Sequence, residues 1–197
     1  IMAIRIVKDK GIVLEMNKFL LGINWEFPVK GNSFFRRSYE YEYEYDLDLA
    51  AFLIGTNGKI IHDEYFVFYN NLKSPDGSVE HGESIINCVC PEDRESVIVD
   101  LTKINPKVQE IVFTISIYGA NEHGTKFGKI KESFFRIYKP GNYILGKEDY
   151  IYDLTEDISK CSSLELCRIY RSNEKWMVQA LGIGHHGGLE ELISKFT

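Results

Sequence analysis

Polar and apolar positions alternate most strictly in residues 39–49. Up to Leu49, tyrosines and leucines occupy one set of alternate positions, and glutamates and aspartates occupy the other. A period of two predicts a β-strand with one apolar face and one acidic face. From Ala50 onward the second face is apolar as well, which predicts that the strand enters a core at about residue 49.

Two aspartates, Asp46 and Asp48, stand where this acidic face meets the predicted core. They are on the same face, so their Cα atoms should lie roughly 7 Å apart. Without a cation the two carboxylates would repel each other, and their desolvation would cost free energy. We therefore predict a metal role for them, with a solvated acidic surface as the alternative, and favour the solvated surface for Glu40, Glu42 and Glu44.

A second segment supplies oxygen atoms of other kinds. Residues 65–69 are continuously apolar or aromatic, which predicts a strand buried on both faces. Two asparagines end that strand, and Ser-Pro-Asp-Gly at 74–77 fits a type I turn. Taken alone this segment is an ordinary loop, but with the two aspartates its oxygens suit a hard cation such as Ca²⁺. The candidate ligands here are Asn70, Asn71, Asp76 and Gly77.

Short apolar runs separated by turn residues make up most of the remaining chain. They predict strands at residues 96–101, 110–118, 133–138, 150–154, 164–170 and 175–181. Asn57 and Gly58 predict a hairpin turn, and helical patterns are confined to one turn at 102–107 and a short helix at 188–195. The pattern favours an all-β sandwich or barrel in a single domain, 1–197, with an acidic hairpin arm at about 30–45.

Composition excludes several classes of protein. The chain has 197 residues, of which 44% are hydrophobic, so general disorder is excluded. A net charge of -6 argues against a nucleic-acid-binding surface. No apolar run is long enough for a membrane span. The charged beginning does not fit a signal peptide, and we therefore expect a cytoplasmic protein.

Catalytic and structural-metal patterns are weak. The four cysteines, Cys88, Cys90, Cys161 and Cys167, lack a standard zinc spacing, so we expect free thiols. His185 and His186 precede two glycines, for which we favour a structural role. No nucleophile, base and acid occur at a recognised spacing, and the sequence also lacks an EF-hand loop. We therefore expect a protein that is not an enzyme, with any calcium site assembled from separate loops.

Several stretches together resemble the TerD family of tellurium-resistance and stress proteins. They are DLDLAAFLIGTNGKI at 46–60, DEYFVFYNNLKSPDGSVEH at 63–81, VDLTKINPKVQEIVFTISIY at 99–118 and the tail at 166–193. GINWE at 22–26, which ends in Glu26, is similar to an early acidic signature of the family. The resemblance implies a calcium-binding β-sandwich of two mainly antiparallel sheets with short helices, without established catalytic activity. It also implies resistance to tellurite and other stresses.

As partners we expect calcium ions and other stress-response proteins, including membrane-associated ones, but no nucleic acid. The oligomeric state stays open.

The chain departs from the family pattern in the loop at 82–97. The family usually has an acidic, glycine-rich run there, whereas this chain has Cys90, Pro91 and Arg94. Glu83, Asp93 and Glu95 keep some acidity and are further candidate ligands. Because Arg94 adds positive charge and Pro91 restricts the backbone, we predict one tight calcium site and a second that is weak or absent.

Three functions are compatible with these residues. The first is a calcium-binding stress-response protein of the tellurium-resistance type, which acts by ion binding and assembly. The second is a calcium-dependent ligand-recognition module, and the third, less favoured, is a metal-dependent hydrolase. The two carboxylates on one strand face fit cation binding better than the opposed carboxylates of a glycosidase.

Overall fold

The computed structural model describes residues 3–26, 46–82, 93–120, 124–128, 131–141 and 148–197. The acidic arm at about 30–45, Glu83, Cys88 and Cys90 lie outside these residues. The described strands are β1 (Ile4–Arg5), β2 (Ile12–Val13), β3 (Lys18–Glu26), β4 (Leu47–Ile54), β5 (Phe66–Val67), β6 (Val79–His81), β7 (Glu95–Asp100), β8 (Glu110–Ile117), β9 (Lys131–Tyr138), β10 (Tyr150–Asp153), β11 (Ser163–Ser172) and β12 (Lys175–His185). A short 3-10 helix, Asp63–Tyr65, precedes β5, and an α-helix, α1 (Gly188–Phe196), follows β12.

The strands form two six-stranded sheets. The order is β1-β10-β9-β3-β7-β6 in the first sheet and β2-β12-β11-β8-β4-β5 in the second. The pairing is antiparallel except between β1 and β10. Alternate residues of both sheets, such as Leu21, Ile23, Leu49 and Phe113, point inward and build one buried core. The predicted β-sandwich is therefore confirmed.

Helix α1 covers part of the outer face of the second sheet. Leu192 and Phe196 of the helix pack against Phe52 and Val112 in a second buried cluster. At the start of the helix, His185 lies between two carboxylates: its Nε2 is 2.6 Å from Glu165 Oε1 and its Nδ1 is 3.2 Å from Glu191 Oε1. These contacts give His185 a structural position between the sheet and the helix.

Local predictions agree with the structure to different degrees. The turn at 57–58 is confirmed, since Gly58 has a φ of 76° and Gly55 N–H donates to Lys59 O at 2.8 Å. The C-terminal helix is also confirmed. The strand predicted at 65–69 is wrong in extent, because regular pairing is limited to Phe66–Val67 and the side chain of Tyr69 is half-buried. Residues 102–107 form turns and not a helical turn.

No helix in the part of the chain that the structure describes is long and apolar enough to cross a membrane.

Candidate functional site

Asp46 and Asp48 lie where β4 begins, at one end of the second sheet. Asp48 is paired with Ser116 of β8, and the ladder continues one step further because Tyr118 N–H donates to Asp46 O at 2.9 Å. Leu47 and Leu49 point into the core between the sheets, so the two aspartates share the outer face. Asp46 is exposed and Asp48 is half-buried. The two carboxylates are thus neighbours on one surface, as the alternation in the sequence predicts.

Two tyrosines lie beside Asp48. The ring centroids of Tyr69 and Tyr118 are 5.8 Å apart. Burial raises the pKa of the Tyr69 phenol, and Tyr118, Asp48 and Glu190 at the start of α1 add to that effect through their charges. Asp48 and Glu190 therefore both place negative charge near the Tyr69 phenol.

Asp76 lies at the opposite end of the sandwich. Its Oδ2 accepts a hydrogen bond from Asn105 N–H at 2.8 Å, and the segment after Asn105 leads to Gln109, whose N–H donates to Ile54 O at 2.7 Å. Ile54 is the last residue of β4 and Asp48 is near its start, and an eight-residue strand is about 23 Å long. The structure therefore separates Asp76 from the two strand-end aspartates.

The carboxylate of Asp76 is occupied by donors of its own turn. Its Oδ1 accepts from Ser74 Oγ–H at 2.7 Å, from Ser78 Oγ–H at 2.7 Å and from Ser78 N–H at 2.9 Å. Burial alone would raise the pKa of Asp76, but the hydrogen bonds from Ser74, Ser78 and Asn105 hold it below its ordinary value. The predicted type I turn is present, with Gly77 N–H bonded to Ser74 O at 2.9 Å and Gly77 at a φ of 68°.

The two asparagines have different surroundings. Asn71 Nδ2–H donates to Glu64 O at 3.0 Å and to Phe66 O at 2.7 Å, so its side chain holds the chain around the 3-10 helix. Asn70 is exposed and directly follows Tyr69, the residue beside Asp48. The two hydrogen bonds hold the Asn71 side chain in place. Of the two asparagines, Asn70 is therefore the better candidate to turn toward Asp46 and Asp48.

Asp93 is the counter-ion of a buried arginine on the outer face of the first sheet. Its Oδ1 accepts from Arg136 Nε–H at 2.8 Å, and its Oδ2 accepts from Tyr138 O–H at 2.6 Å. Arg136 is 1% exposed. A Cβ on Gly22 would lie 2.0 Å from Asp93 Oδ2, so glycine is required for this carboxylate to reach the sheet surface.

The other predicted ligands are described only in part. Glu95 begins β7, and its Oε2 is 3.7 Å from Nε2 of His81, a buried histidine that also contacts Leu49 O at 3.0 Å. The backbone of Glu26 pairs with Lys131 at the end of β3. Glu83 lies outside the described residues. The metal roles of all ten candidates remain predictions.

The described residues offer only part of a metal shell. Within the ranges that the structure describes, no group of three or more His, Cys, Asp or Glu side chains is arranged to hold a metal ion. Asp46 and Asp48 nonetheless supply hard carboxylate oxygens of the kind calcium prefers, and calcium also accepts carbonyl and water oxygens in a flexible geometry. Asp46 and Asp48 therefore have the ligand chemistry that calcium requires. They would supply two of its ligands and not a complete coordination shell.

Comparison with known proteins assigns the chain to a family. The family model described as the TerD domain matches residues 2–196. This chain belongs to the TerD family. The family predicted from the resemblance in residues 46–60, 63–81 and 99–118 is therefore confirmed.

Known relatives carry resistance and stress names. The tellurium resistance protein TerD of Alcaligenes sp is 35% identical over 147 residues, which cover 75% of each chain. The stress response protein SCP2 of Bacillus subtilis (strain 168) is 29% identical over 202 residues, covering 100% of each chain. Among solved structures, a homologue of telluride resistance protein (TerD) from Streptomyces coelicolor A3(2) matches 90% of this chain and 95% of its own, with a TM-score of 0.61 and 12% identity. That low identity supports the fold alone.

Sequence reasoning missed the residues around Asp48. Tyr118 and Glu190 are far from Asp48 along the chain, but the pairing of β8 with β4 and the packing of α1 on the same face bring all three near Tyr69. It also missed Arg136 as the partner of Asp93. The only available signal was a single arginine in the otherwise apolar or aromatic run at 134–138.

Proposed function

We propose that this TerD-family protein is a calcium-binding stress-response protein of the tellurium-resistance type, which acts by ion binding and protein assembly and not by catalysis. The observation that carries the proposal is the pair of neighbouring carboxylates, Asp46 and Asp48, on one face at the end of β4. Two carboxylates on one strand face supply hard oxygen ligands of the kind that a divalent cation such as calcium binds. The names of the relatives support the stress and resistance context.

Asp46 and Asp48 are the proposed calcium ligands among the described residues, and Asn70, which directly follows Tyr69, is a further candidate. Asp76 is left out because its two oxygens accept hydrogen bonds within the protein at the far end of the sandwich. Asp93 is left out because it neutralises Arg136. Carbonyl groups and water would supply further oxygens, as is usual for calcium. We further propose a cytoplasmic location and partners among other stress-response proteins, including membrane-associated ones.

A thermal test decides whether calcium binds to the folded protein. Metal-free protein should gain about 5–10 °C in melting temperature when calcium is present at about one hundred times its dissociation constant. Magnesium should give a smaller gain, because it requires a stricter octahedral geometry. A protein whose melting temperature is the same with EDTA and with calcium would contradict the proposal.

Matched variants locate the ions. Asp48→Asn and Asp46→Asn should each lower calcium affinity, whereas Asp76→Asn should leave it unchanged, since Asp76 is at the other end of β4. Calorimetric titration of metal-free protein measures both affinity and stoichiometry, for which we expect one tight site. Equal loss of affinity in all three variants would mean that the ion is not at the strand end.

The ligand-recognition alternative shares this ion site. It predicts that carbohydrates or phosphorylated compounds bind only in the presence of calcium, with the ion as the bridge. A ligand screen with and without calcium distinguishes it from assembly, which is measured as a calcium-dependent change in sedimentation.

A further inference from the structure

The turn that follows β4 contains the only Asn-Gly pair in the sequence. Asn57 and Gly58 are both exposed, and Gly58 has a φ of 76°. A Cβ placed on Gly58 would have no other heavy atom within 4 Å, so the space around this residue is open. Because glycine has no side chain, the backbone nitrogen of Gly58 is not shielded by its own residue.

The side-chain amide of Asn57 is folded back over this nitrogen. Asn57 Oδ1 accepts a hydrogen bond from Lys59 N–H at 3.1 Å, which closes an Asx turn. The closed ring runs through the backbone nitrogen of Gly58, so the turn holds the amide carbon of Asn57 beside it. The hydrogen bond to Oδ1 also polarises the amide carbonyl. Gly58 N–H itself donates to Gly55 O, but at 3.2 Å, the long limit for such a bond.

We propose that Asn57 is a site of spontaneous deamidation. The backbone nitrogen of Gly58 attacks Asn57 Cγ and loses its proton, and a new C–N bond forms. The bond from Cγ to the side-chain amide nitrogen breaks, and that nitrogen leaves with the proton as ammonia. Water then opens the cyclic imide at either carbonyl, which leaves an aspartyl or an isoaspartyl residue at position 57. Proximity of the two reacting groups takes the place of a catalyst.

A second turn of the same chain provides a matched comparison. Asn173 and Glu174 join β11 and β12, both are exposed, and their φ angles are 46° and 63°. The residue after Asn173 carries a side chain, which shields its backbone nitrogen. Asn105 is followed by Pro106, which has no N–H to lose. Of these three asparagines, Asn57 is therefore the one that should react.

The Asn57 turn also holds the end of helix α1. Ile60 N–H donates to Phe196 O at 2.8 Å. Lys59 Nζ donates to Lys195 O at 2.9 Å, and Gly55 N–H closes the turn on Lys59 O at 2.8 Å. An isoaspartyl residue adds one methylene to the main chain within this turn, so the bonds on its two sides lose their register. Deamidation therefore loosens the attachment of α1 to the end of β4, whether or not the protein binds calcium.

The chemical test follows the full chain during incubation at physiological temperature and mildly alkaline pH in isotope-labelled water. Peptide mapping by mass spectrometry should show a carboxylate with one labelled oxygen growing in at position 57, while Asn173 keeps its amide. The same protein unfolded in urea gives the rate of an unconstrained Asn-Gly pair. An amide that persists at position 57 in the folded protein but reacts in urea, or equal reaction of Asn57 and Asn173, would overturn the proposal.

Two variants separate the reaction from general ageing. Asn57→Ser has no amide to lose and keeps a hydroxyl acceptor for the turn, so position 57 should stay unchanged. Gly58→Ala keeps the amide but shields the nitrogen, and should react more slowly than the unmodified protein.

The structural consequence is measured on the incubated protein. Its melting temperature should fall by about 2–4 °C, the shift expected for the loss of one hydrogen bond in a chain of this size. The amide of Ile60 should exchange with solvent faster. Incubated Asn57→Ser should keep the melting temperature of fresh protein, and an equal fall in this variant would overturn the assigned link to α1.

Discussion

The two ends of strand β4 place the same residue type in opposite situations. At the far end, Asp76 accepts four hydrogen bonds from Ser74, Ser78 and Asn105, so its charge is compensated by the protein itself. At the near end, Asp46 and Asp48 are neighbours on one face, with Tyr69, Tyr118 and the negative charge of Glu190 close by. One aspartate stabilises a turn, whereas the other two are the pair for which we propose a cation.

The difference lies in the donors supplied by the local backbone. A tight turn directs several N–H and hydroxyl groups at one point. A carboxylate within the turn, such as that of Asp76 two residues after Ser74, can accept hydrogen bonds from all of them. The end of a strand directs its backbone groups sideways into the ladder, so the backbone of β4 does not itself gather several donors around one carboxylate. Asp93, on the other sheet, resembles Asp76, because Arg136 and Tyr138 donate hydrogen bonds to its carboxylate.

The largest effect is expected at the compensated, buried carboxylate. Asp93→Asn removes the negative charge that pairs with the buried guanidinium of Arg136 and should lower the free energy of unfolding by about 3–5 kcal/mol. Urea denaturation in calcium-free buffer measures this. The control is Asp153→Asn, which breaks the exposed ion pair with Arg5 and should cost less than about 1 kcal/mol. A similar loss of unfolding free energy in both variants would show that the burial of an ion pair does not determine how much it contributes to stability.

The Asp76 turn should give an intermediate effect. Asp76→Ala removes the acceptor for several hydrogen bonds at once and should lower the free energy of unfolding by about 1–3 kcal/mol. Asp76→Asn should cost less, since one oxygen remains as an acceptor. Denaturant titration of both variants tests the order, and an Asp76→Ala variant as stable as the unmodified protein would remove the structural role assigned here.

Acid should weaken the same turn in a defined direction. The folded pKa of Asp76 is below its ordinary value of 3.8, so its contribution to stability is fully present above that pH and is lost as the pH falls through the folded pKa. The stability difference between the unmodified protein and Asp76→Asn should therefore narrow below about pH 4. Denaturation midpoints measured from neutral pH into the acid range provide the test; a difference that stays constant would contradict it.

The smallest effect is expected at the strand end without calcium. Asp46→Asn removes one of two neighbouring negative charges on an exposed residue, and should change the free energy of unfolding by no more than about 0.5 kcal/mol. With calcium present, the same variant should lose part of the stabilisation that the ion provides. A loss above about 1 kcal/mol in EDTA would mean that Asp46, like Asp76, has a structural function.

Much of the fold was predictable from the sequence because its signals are local. The alternation around Asp46 and Asp48 indicated which side chains share a face, since a strand has a strict period of two. Asn57 and Gly58 indicated a turn, and residues 74–77 indicated a type I turn, since few residue types adopt those backbone angles. The family could also be recognised, because its motifs are contiguous stretches of chain.

Only the tertiary structure decided which of these residues lie together. Asp76 and Asp48 look equivalent as oxygen ligands in the sequence, but β4 spans the length of the sandwich and separates them. The pairing of β4 with β8 brings Tyr118 to Asp46, and the folding of α1 onto the sheet brings Glu190 near Tyr69. Likewise, Asp93 meets Arg136 only because β9 lies beside β3. Sheet order and helix docking depend on the burial of the whole apolar surface, which no short segment of the chain encodes.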